Sequence, residues 1–559
     1  MIRLHLWVGL YLLFLLSLPQ CISAQDLGNL GKQKPVDISG SLSLRISTFS
    51  TTSAKSTRDP FSWTLSGNPT LSIYGITFPF SVVVSNKQKD FRQPFNMYGV
   101  SPYYKKIKFH AGYRSVYFSD YTLSDHVFLG GGIEAEPAFM RLGFVYGRFM
   151  KAVEPVTDTL SGQYAAPSFA RKGFAAKIGF GNYNNFVDFI LLKIQDDTAS
   201  VKASPAEIGG PAAENLVIGI KSRQVIAKIL SLDVDFGVSA YTHDIRSAEL
   251  TDKVYQSFVL IKPRISTQFL TAGKASLGVH IKKFALKLNY RRVEPEYQSM
   301  GAYYYNTDIE NLTLAPSWQM FRSRLRINGS IGAQRNNLLS NKANNSVRRA
   351  NSLSLSLTPN SKWGVSLNYS NYNLSQTRNY ALMRDTLLLE QFSNNINGNV
   401  FYNFGSKIHR RSLGINVSYL DLSDNSSSDS ITNSTTSLNP SVSYRFNNTE
   451  NKFSWNISSN ASRFNTNLNN TFRWGLSGGG TKSLFKNKLK LGANASFFNS
   501  RLNGIANSNT ILVGGTLGYQ PHKNHSLNLN FSMVNRSFAQ TGRDGSTDFV
   551  GNLGYSYNF

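Results

Sequence analysis

Cysteine is nearly absent from this chain: Cys21 is the only one in 559 residues, and it lies within an apolar N-terminal run. Disulfides and thiol chemistry are thereby excluded from the rest of the chain, whose stability must have another source. Charge is scarce as well, at 16% against about 25% in an ordinary soluble domain. Beyond the first 20 positions no run of 18 apolar residues occurs, which excludes membrane-crossing helices and with them a helical transporter. No HExxH, CxxC or P-loop pattern is present, and the histidines are not spaced as ligands, so no metal and no cofactor is expected.

The N-terminus is informative. Arg3 precedes an almost continuously apolar stretch from Leu4 to Leu18, and Ile22-Ser23-Ala24 places small residues before Gln25. This is the pattern of a secretory leader, residues 1–24, cleaved after Ala24. Residues 25–35 form a short segment, and 36–559 read as one domain. Basic side chains outnumber acidic ones by 59 to 32 overall, and by 25 to 8 over residues 311–559. They are spread singly along the chain rather than gathered on helices or arms, which argues against a nucleic-acid partner.

The dominant signal from residue 36 onward is a period of two. Phe549, Gly551, Leu553, Tyr555, Tyr557 and Phe559 alternate with Asp548, Asn552, Ser556 and Asn558. Leu413, Ile415, Val417 and Tyr419 do the same against Asn416 and Ser418, and Leu353, Leu355 and Leu357 against serines. Such strands have one oily and one polar face, as in membrane barrels and soluble sandwiches alike. The polar face decides between them. Between Asp421 and Asn470, 30 of 50 residues are Asn, Ser or Thr, interleaved with aromatics; with the period of two, that composition describes strands lining a wet interior. Hairpin follows hairpin without a linker, as expected of one sheet closed on itself. The expected fold is an all-β transmembrane antiparallel β-barrel of about 26 strands (range roughly 22–30), each supplying the 9 to 11 residues needed to cross.

Two segments depart from plain alternation. Residues 68–152 include NPTLSIYGITFPFSVVVSN, GYRSVYFSDYTLSDHVFLGGGIEAEP and FMRLGFVYGRFMKA, and residues 289–312 read NYRRVEPEYQSMGAYYYNTDIENL. In their Tyr-Gly, Gly-Tyr-Arg and Tyr-Gly-Arg steps they resemble an uncharacterised family of large outer-membrane β-barrel proteins of the Bacteroidota. The resemblance covers about a fifth of the chain; it implies fold and location and brings no catalytic residues. A TonB-dependent receptor is similar in barrel size but carries a folded plug. Here only residues 25–35 precede the first alternating stretch, so no separate N-terminal plug domain is expected. Pro94 and Pro102, each beside an aromatic, should end or bulge strands. Residues 93–132 are therefore a candidate rim or lumen-constricting insertion.

Candidate lumen residues follow from the same alternation. Lys283, Lys287, Arg322, Arg324 and Arg326 alternate with apolar neighbours, and a lipid-facing Arg would cost about 2–4 kcal/mol at mid-membrane. They are placed inward, as are Asp233 and Asp235, which share a face opposite Leu232, Val234 and Phe236. Ser119, Asp120, Asp125 and His126 contain nucleophile and base residue types, but neighbours on a strand point to opposite faces, and no catalytic residue is assigned. Phe549, Leu553, Tyr555, Tyr557 and Phe559 resemble the terminal strand by which the barrel-assembly machinery recognises its substrates. The expected function is that of an outer-membrane conduit, or of a docking and anchoring scaffold for a surface or secreted protein, with membrane lipid as its other partner. A hydrolase at the barrel rim and a soluble exported β-rich adhesin are the alternatives.

Overall fold

A computed structural model describes residues 35–53, 58–74, 76–86, 97–154, 156–157, 164–165, 167–202, 210–251, 260–379, 387–426, 433–540 and 543–559. The expected leader 1–24, nearly all of 25–35 and residues 93–96 lie outside them. The chain is a closed antiparallel β-barrel, built from one sheet of 29 strand segments. Three pairs of segments continue each other across a short interruption, at Gly40, at Asn68-Pro69 and at Ser101-Pro102. Prolines offer no amide to a neighbour, and Gly40 has a positive φ of 123°, so the ladder breaks there without ending the stave. Merged in this way, the segments make 26 staves.

Closure joins the two ends of the described chain. Ser41–Thr51 pairs antiparallel with Ser546–Asn558, from Ser41 opposite Asn558 to Thr51 opposite Asp548. Gly40 and Phe559 exchange both backbone hydrogen bonds at 3.1 Å. The seam leaves no free edge to template aggregation. Phe549, Leu553, Tyr555 and Tyr557 stand on the outward side of this last stave. Among the described residues the connections at the Gly40 and Phe559 end are short, such as 105–106, 282–283, 358–362 or 523–524, whereas connections at the other end run as long as 243–266. Short turns on one side and long loops on the other are the habit of outer-membrane barrels.

The outward face carries the oily half of the alternation. At the turn end Trp363, Tyr402, Phe404, Tyr444 and Trp455 form an unbroken aromatic chain with centroids 4.3 to 6.4 Å apart. Phe404, Arg411, Phe446 and Trp455 are cross-strand partners in one row; eight residues further along the same staves, Ile396, Tyr419 and Leu438 form another. Eight residues at about 3.3 Å each, tilted by about 40°, span roughly 20 Å of membrane normal. That is close to the apolar band of about 25 Å between aromatic girdles. Between the rows the surface is Val400, Ile415 and Val442, all exposed. No helix among the described residues is long and apolar enough to cross a membrane.

Residues 97–117 and 124–135 prove to be staves of the wall. Among the described residues of the candidate insertion 93–132, the connection 118–123 is the part that turns inward. Two of the five basic candidates keep their expected place: Lys287 lies on the lumen face of Phe284–Val293, and Arg326 on that of Leu325–Arg335. Lys283, Arg322 and Arg324 do not, being in tight turns at the Gly40 and Phe559 end. The chain reverses there because Phe321, Arg322 and Ser323 all take positive φ, and the Arg324 amide donates to the Phe321 carbonyl at 3.2 Å.

Candidate functional site

Twenty-six strands about 4.8 Å apart and tilted by about 40° enclose a barrel roughly 50 Å across, too wide for wall side chains to fill. One side of the wall is nevertheless packed. The inward residues of Phe186–Asp197 include Ile190, Leu192 and Ile194, where later staves carry Asn or Ser. With Val145, Phe149 and Val217 they meet Phe118 and Leu123 from one inward connection and Met300 from another, 294–308. All the apolar core clusters fall between Val116 and Ile309.

The two inward connections lock together and to the wall. Tyr297 Oη donates to the Tyr121 carbonyl at 2.6 Å, Ser299 Oγ to that of Thr122 at 2.6 Å, and Tyr305 Oη to that of Asp120 at 2.9 Å. Toward the wall, Ser119 Oγ and the Asp120 amide both donate to the Asp235 carboxylate, at 2.6 and 3.0 Å. The Met300 amide donates to Asn215 Oδ1 at 3.0 Å, and Ser239 Oγ to the Gln298 carbonyl at 2.6 Å. The wall yields room at two glycines: a Cβ on Gly219 would lie 2.5 Å from Thr122 Cγ2, and one on Gly237 would lie 2.8 Å from Tyr297 Oη.

Below these connections the lumen face carries a row of charge. In direct cross-strand register stand Asp188, Lys221, Asp235, Lys274 and Arg291. Arg141 grips Asp188 with Nε and Nη2, at 2.8 and 3.1 Å. Lys221 lies 4.1 Å from the centre of the Tyr117 ring. Lys274 pairs with Asp120 from the inward connection. Asp233, one step toward the turns, pairs with Arg223 at 2.5 Å. Signs alternate along the row until Lys274 and Arg291, two cations side by side. The Asp120 carboxyl is pushed up by burial, but hydrogen bonds from Lys274 and Tyr117 outweigh that and hold it below the usual carboxylate range.

The Ser119, Asp120, Asp125 and His126 residue types do not assemble into a catalytic group. Ser119 is spent on Asp235; the His126 ring stacks on Tyr303 at 4.2 Å, and its Nδ1 meets the Val127 carbonyl oxygen at 2.9 Å. A hydroxyl–imidazole–carboxylate string does occur elsewhere. Ser101 Oγ lies 3.0 Å from His110 Nδ1, and His110 Nε2 3.0 Å from Glu134 Oε1. Ser101 and His110 are only 7% and 4% exposed, and the Ser101 amide donates to the Pro79 carbonyl. The string ties the stave interrupted at Pro102 to its neighbours and has no access for a substrate.

Sequence reasoning found Asp233, Asp235 and Lys287 and missed Lys221, Lys274, Arg291 and the packed core. One signal was available: Phe189-Ile190-Leu191-Leu192 is apolar on both faces, which a stave between lipid and water would not be. At the loop end, Asp308 accepts hydrogen bonds from the Asn337 and Leu338 amides, at 3.0 and 2.8 Å, and from Lys342 Nζ at 2.5 Å. Burial pushes its carboxyl up, and those donors more than compensate, leaving it below the ordinary range. A depressed value means that this anchor is complete above the ordinary carboxylate pKa of about 4 and is lost as pH falls through the lower, folded value. Amide exchange corrected for intrinsic rate is expected to show Asn337 and Leu338 protected at pH 6 and still protected at the ordinary carboxylate pKa of about 4, with protection falling only on further acidification.

No family model and no curated protein matches the chain. Solved barrels do. It is similar to the Pseudomonas aeruginosa protein OccK1 (OpdK), at 9% identity over 62% of this chain and 92% of that one, with a TM-score of 0.30. It is similar to the translocation pore of the P pilus usher PapC, at 11% identity over 93% and 99%, with a TM-score of 0.36. The FrpB iron transporter from Neisseria meningitidis matches at 11% identity over 96% and 83%, with a TM-score of 0.38.

Proposed function

We propose that the protein is an outer-membrane conduit for polar solutes, exported by its leader and occluded along one side of its lumen. The observation that carries this reading is the contrast between the two lumen walls. From Asn344–Leu357 to the closing stave, the inward face is a ladder of short polar side chains bonded to one another. Ser354 donates to Asn368 at 2.7 Å and Asn439 to Ser437 at 3.0 Å; Ser454 and Thr481 pair at 2.7 Å, and Ser526 and Ser556 at 2.8 Å. Such groups remain satisfied beside water without reaching far into it, and they gather no apolar core. Opposite, the inward connections narrow the space and place the charge row beside it.

The C-terminal residues Phe549, Leu553, Tyr555, Tyr557 and Phe559 belong to the same proposal, as the signal read by the assembly machinery on insertion. Purified protein reconstituted in planar bilayers is expected to give discrete conductance steps with ohmic open levels. A folded, inserted barrel that stays electrically silent would overturn the conduit and favour an anchoring scaffold for a surface or secreted protein.

A further inference from the structure

Resting on the conduit reading, the charge row carries a second step. We propose that Arg291, Lys287 and Lys274, together with Tyr303, Tyr304 and Tyr305, form a lumen binding site for small organic carboxylates with a planar body. Two cavities of about 540 and 600 Å3 adjoin there and share Lys274 and Arg291 in their lining. Each is of the size that takes a small ligand.

The cations are in surplus. Arg141, Lys221, Arg223, Lys274, Lys287 and Arg291 face four carboxylates, and each carboxylate is already engaged: Asp188 by Arg141, Asp233 by Arg223, Asp120 by Lys274, and Asp235 by Ser119 and the Asp120 amide. Among the described residues no salt bridge reaches Lys221, Lys287 or Arg291. Arg291 Nε is buried without a hydrogen-bond partner, which costs free energy, and the residue lines both cavities. A carboxylate can take two parallel bonds from a guanidinium, which a neutral solute cannot do. Lys287, four residues along the same lumen face, and Lys221 across the row add attraction without a fixed geometry.

The second half of the site is aromatic. Tyr303 and Tyr304 are 59% and 83% exposed, and both line the upper cavity with Arg291 and Lys274 beneath. Exposed phenol faces above a cation suit a flat ring that ends in a carboxylate. Asp120 lines the upper cavity and would repel such a ligand, as would Asp233 and Asp235 in the lower one, where Arg223, Ser119 and the Asp120 amide engage them. The Asp120 charge is committed to Lys274 and to the Tyr117 hydroxyl, 2.5 Å away.

The test is calorimetric titration of the full-length, detergent-solubilised protein with benzoate, acetate and benzyl alcohol. Saturable benzoate binding is expected, with acetate weaker for lack of a ring and benzyl alcohol much weaker for lack of charge. Arg291→Gln is expected to weaken benzoate by about tenfold or more, and Arg291→Lys by less. Absence of benzoate binding, or benzyl alcohol binding as well as benzoate, would overturn the site without any variant. So would full benzoate affinity in a folded Arg291→Gln protein. Binding without conductance in bilayers removes the conduit and keeps the site; conductance without binding removes the site and keeps the conduit.

Discussion

Ile415→Arg is expected to lower the stability of the folded barrel by about 2 to 4 kcal/mol, whereas Asn416→Arg, one residue along, is expected to leave it almost unchanged. Ile415 lies midway between the Phe404–Trp455 row and the Ile396–Leu438 row, four residues from each, and sits between Val400 and Val442 on the outward face. A guanidinium there would be surrounded by hydrocarbon at the greatest distance from either headgroup layer, beyond easy snorkelling. Asn416 points the other way, and its side chain makes only long bonds, from Nδ2 to Asn397 Oδ1 at 3.4 Å and to the Gly398 carbonyl at 3.3 Å. Urea unfolding from lipid vesicles, read by heat-modifiable gel mobility, measures both. Equal effects at the two positions would mean that water bathes the outer face, and the membrane reading of the whole chain would fall with it.

That experiment turns on the same regularity that made the fold legible. Wherever lipid lies on one side of a stave and water on the other, each residue reports its solvent, as Leu413 to Tyr419 do. Strand number followed from repeating this observation along the chain. The alternation fails where neither face meets bulk water. In Phe186–Asp197 both faces are apolar because the inner one packs on Phe118, Leu123 and Met300, and nothing local marks which side is which. The lock between the inward connections joins Tyr121 to Tyr297 across 176 residues of sequence. The charge row needs the cross-strand register of five staves before Asp188 and Arg291 can be seen as parts of one line. Arg322 and Arg324 misled because a turn built on three non-glycine residues at positive φ has no signature in composition. Their spacing of two continues the pattern of the stave after the chain has left it.

The packed side of the lumen can be opened without substituting any residue of the charge row, although Lys274 and Asp235 lose their partners Asp120 and Ser119 when the connections leave. Gly237→Leu is expected to expel both inward connections while the barrel stays closed. The new Cβ would stand 2.8 Å from Tyr297 Oη and 3.0 Å from Tyr121 Cβ, and neither ring has free space, since they meet edge to face at 6.2 Å. Overpacking of this kind costs about 1 to 3 kcal/mol, comparable to the net worth of two or three of the hydrogen bonds holding the connections, at about 0.5 to 1.5 kcal/mol each. Because Tyr297, Ser299 and Tyr305 all bond to the backbone of 120–122, the two segments should leave together rather than singly. Gly398→Leu is the control: its Cβ would meet only the Val417 carbonyl oxygen, at 4.0 Å, on the lipid side. Single-channel conductance is expected to rise in Gly237→Leu and not in Gly398→Leu, with the amides of 119–123 and 297–301 losing exchange protection in the former alone. Unchanged conductance with those amides exposed would show that the connections pack the wall without narrowing the path.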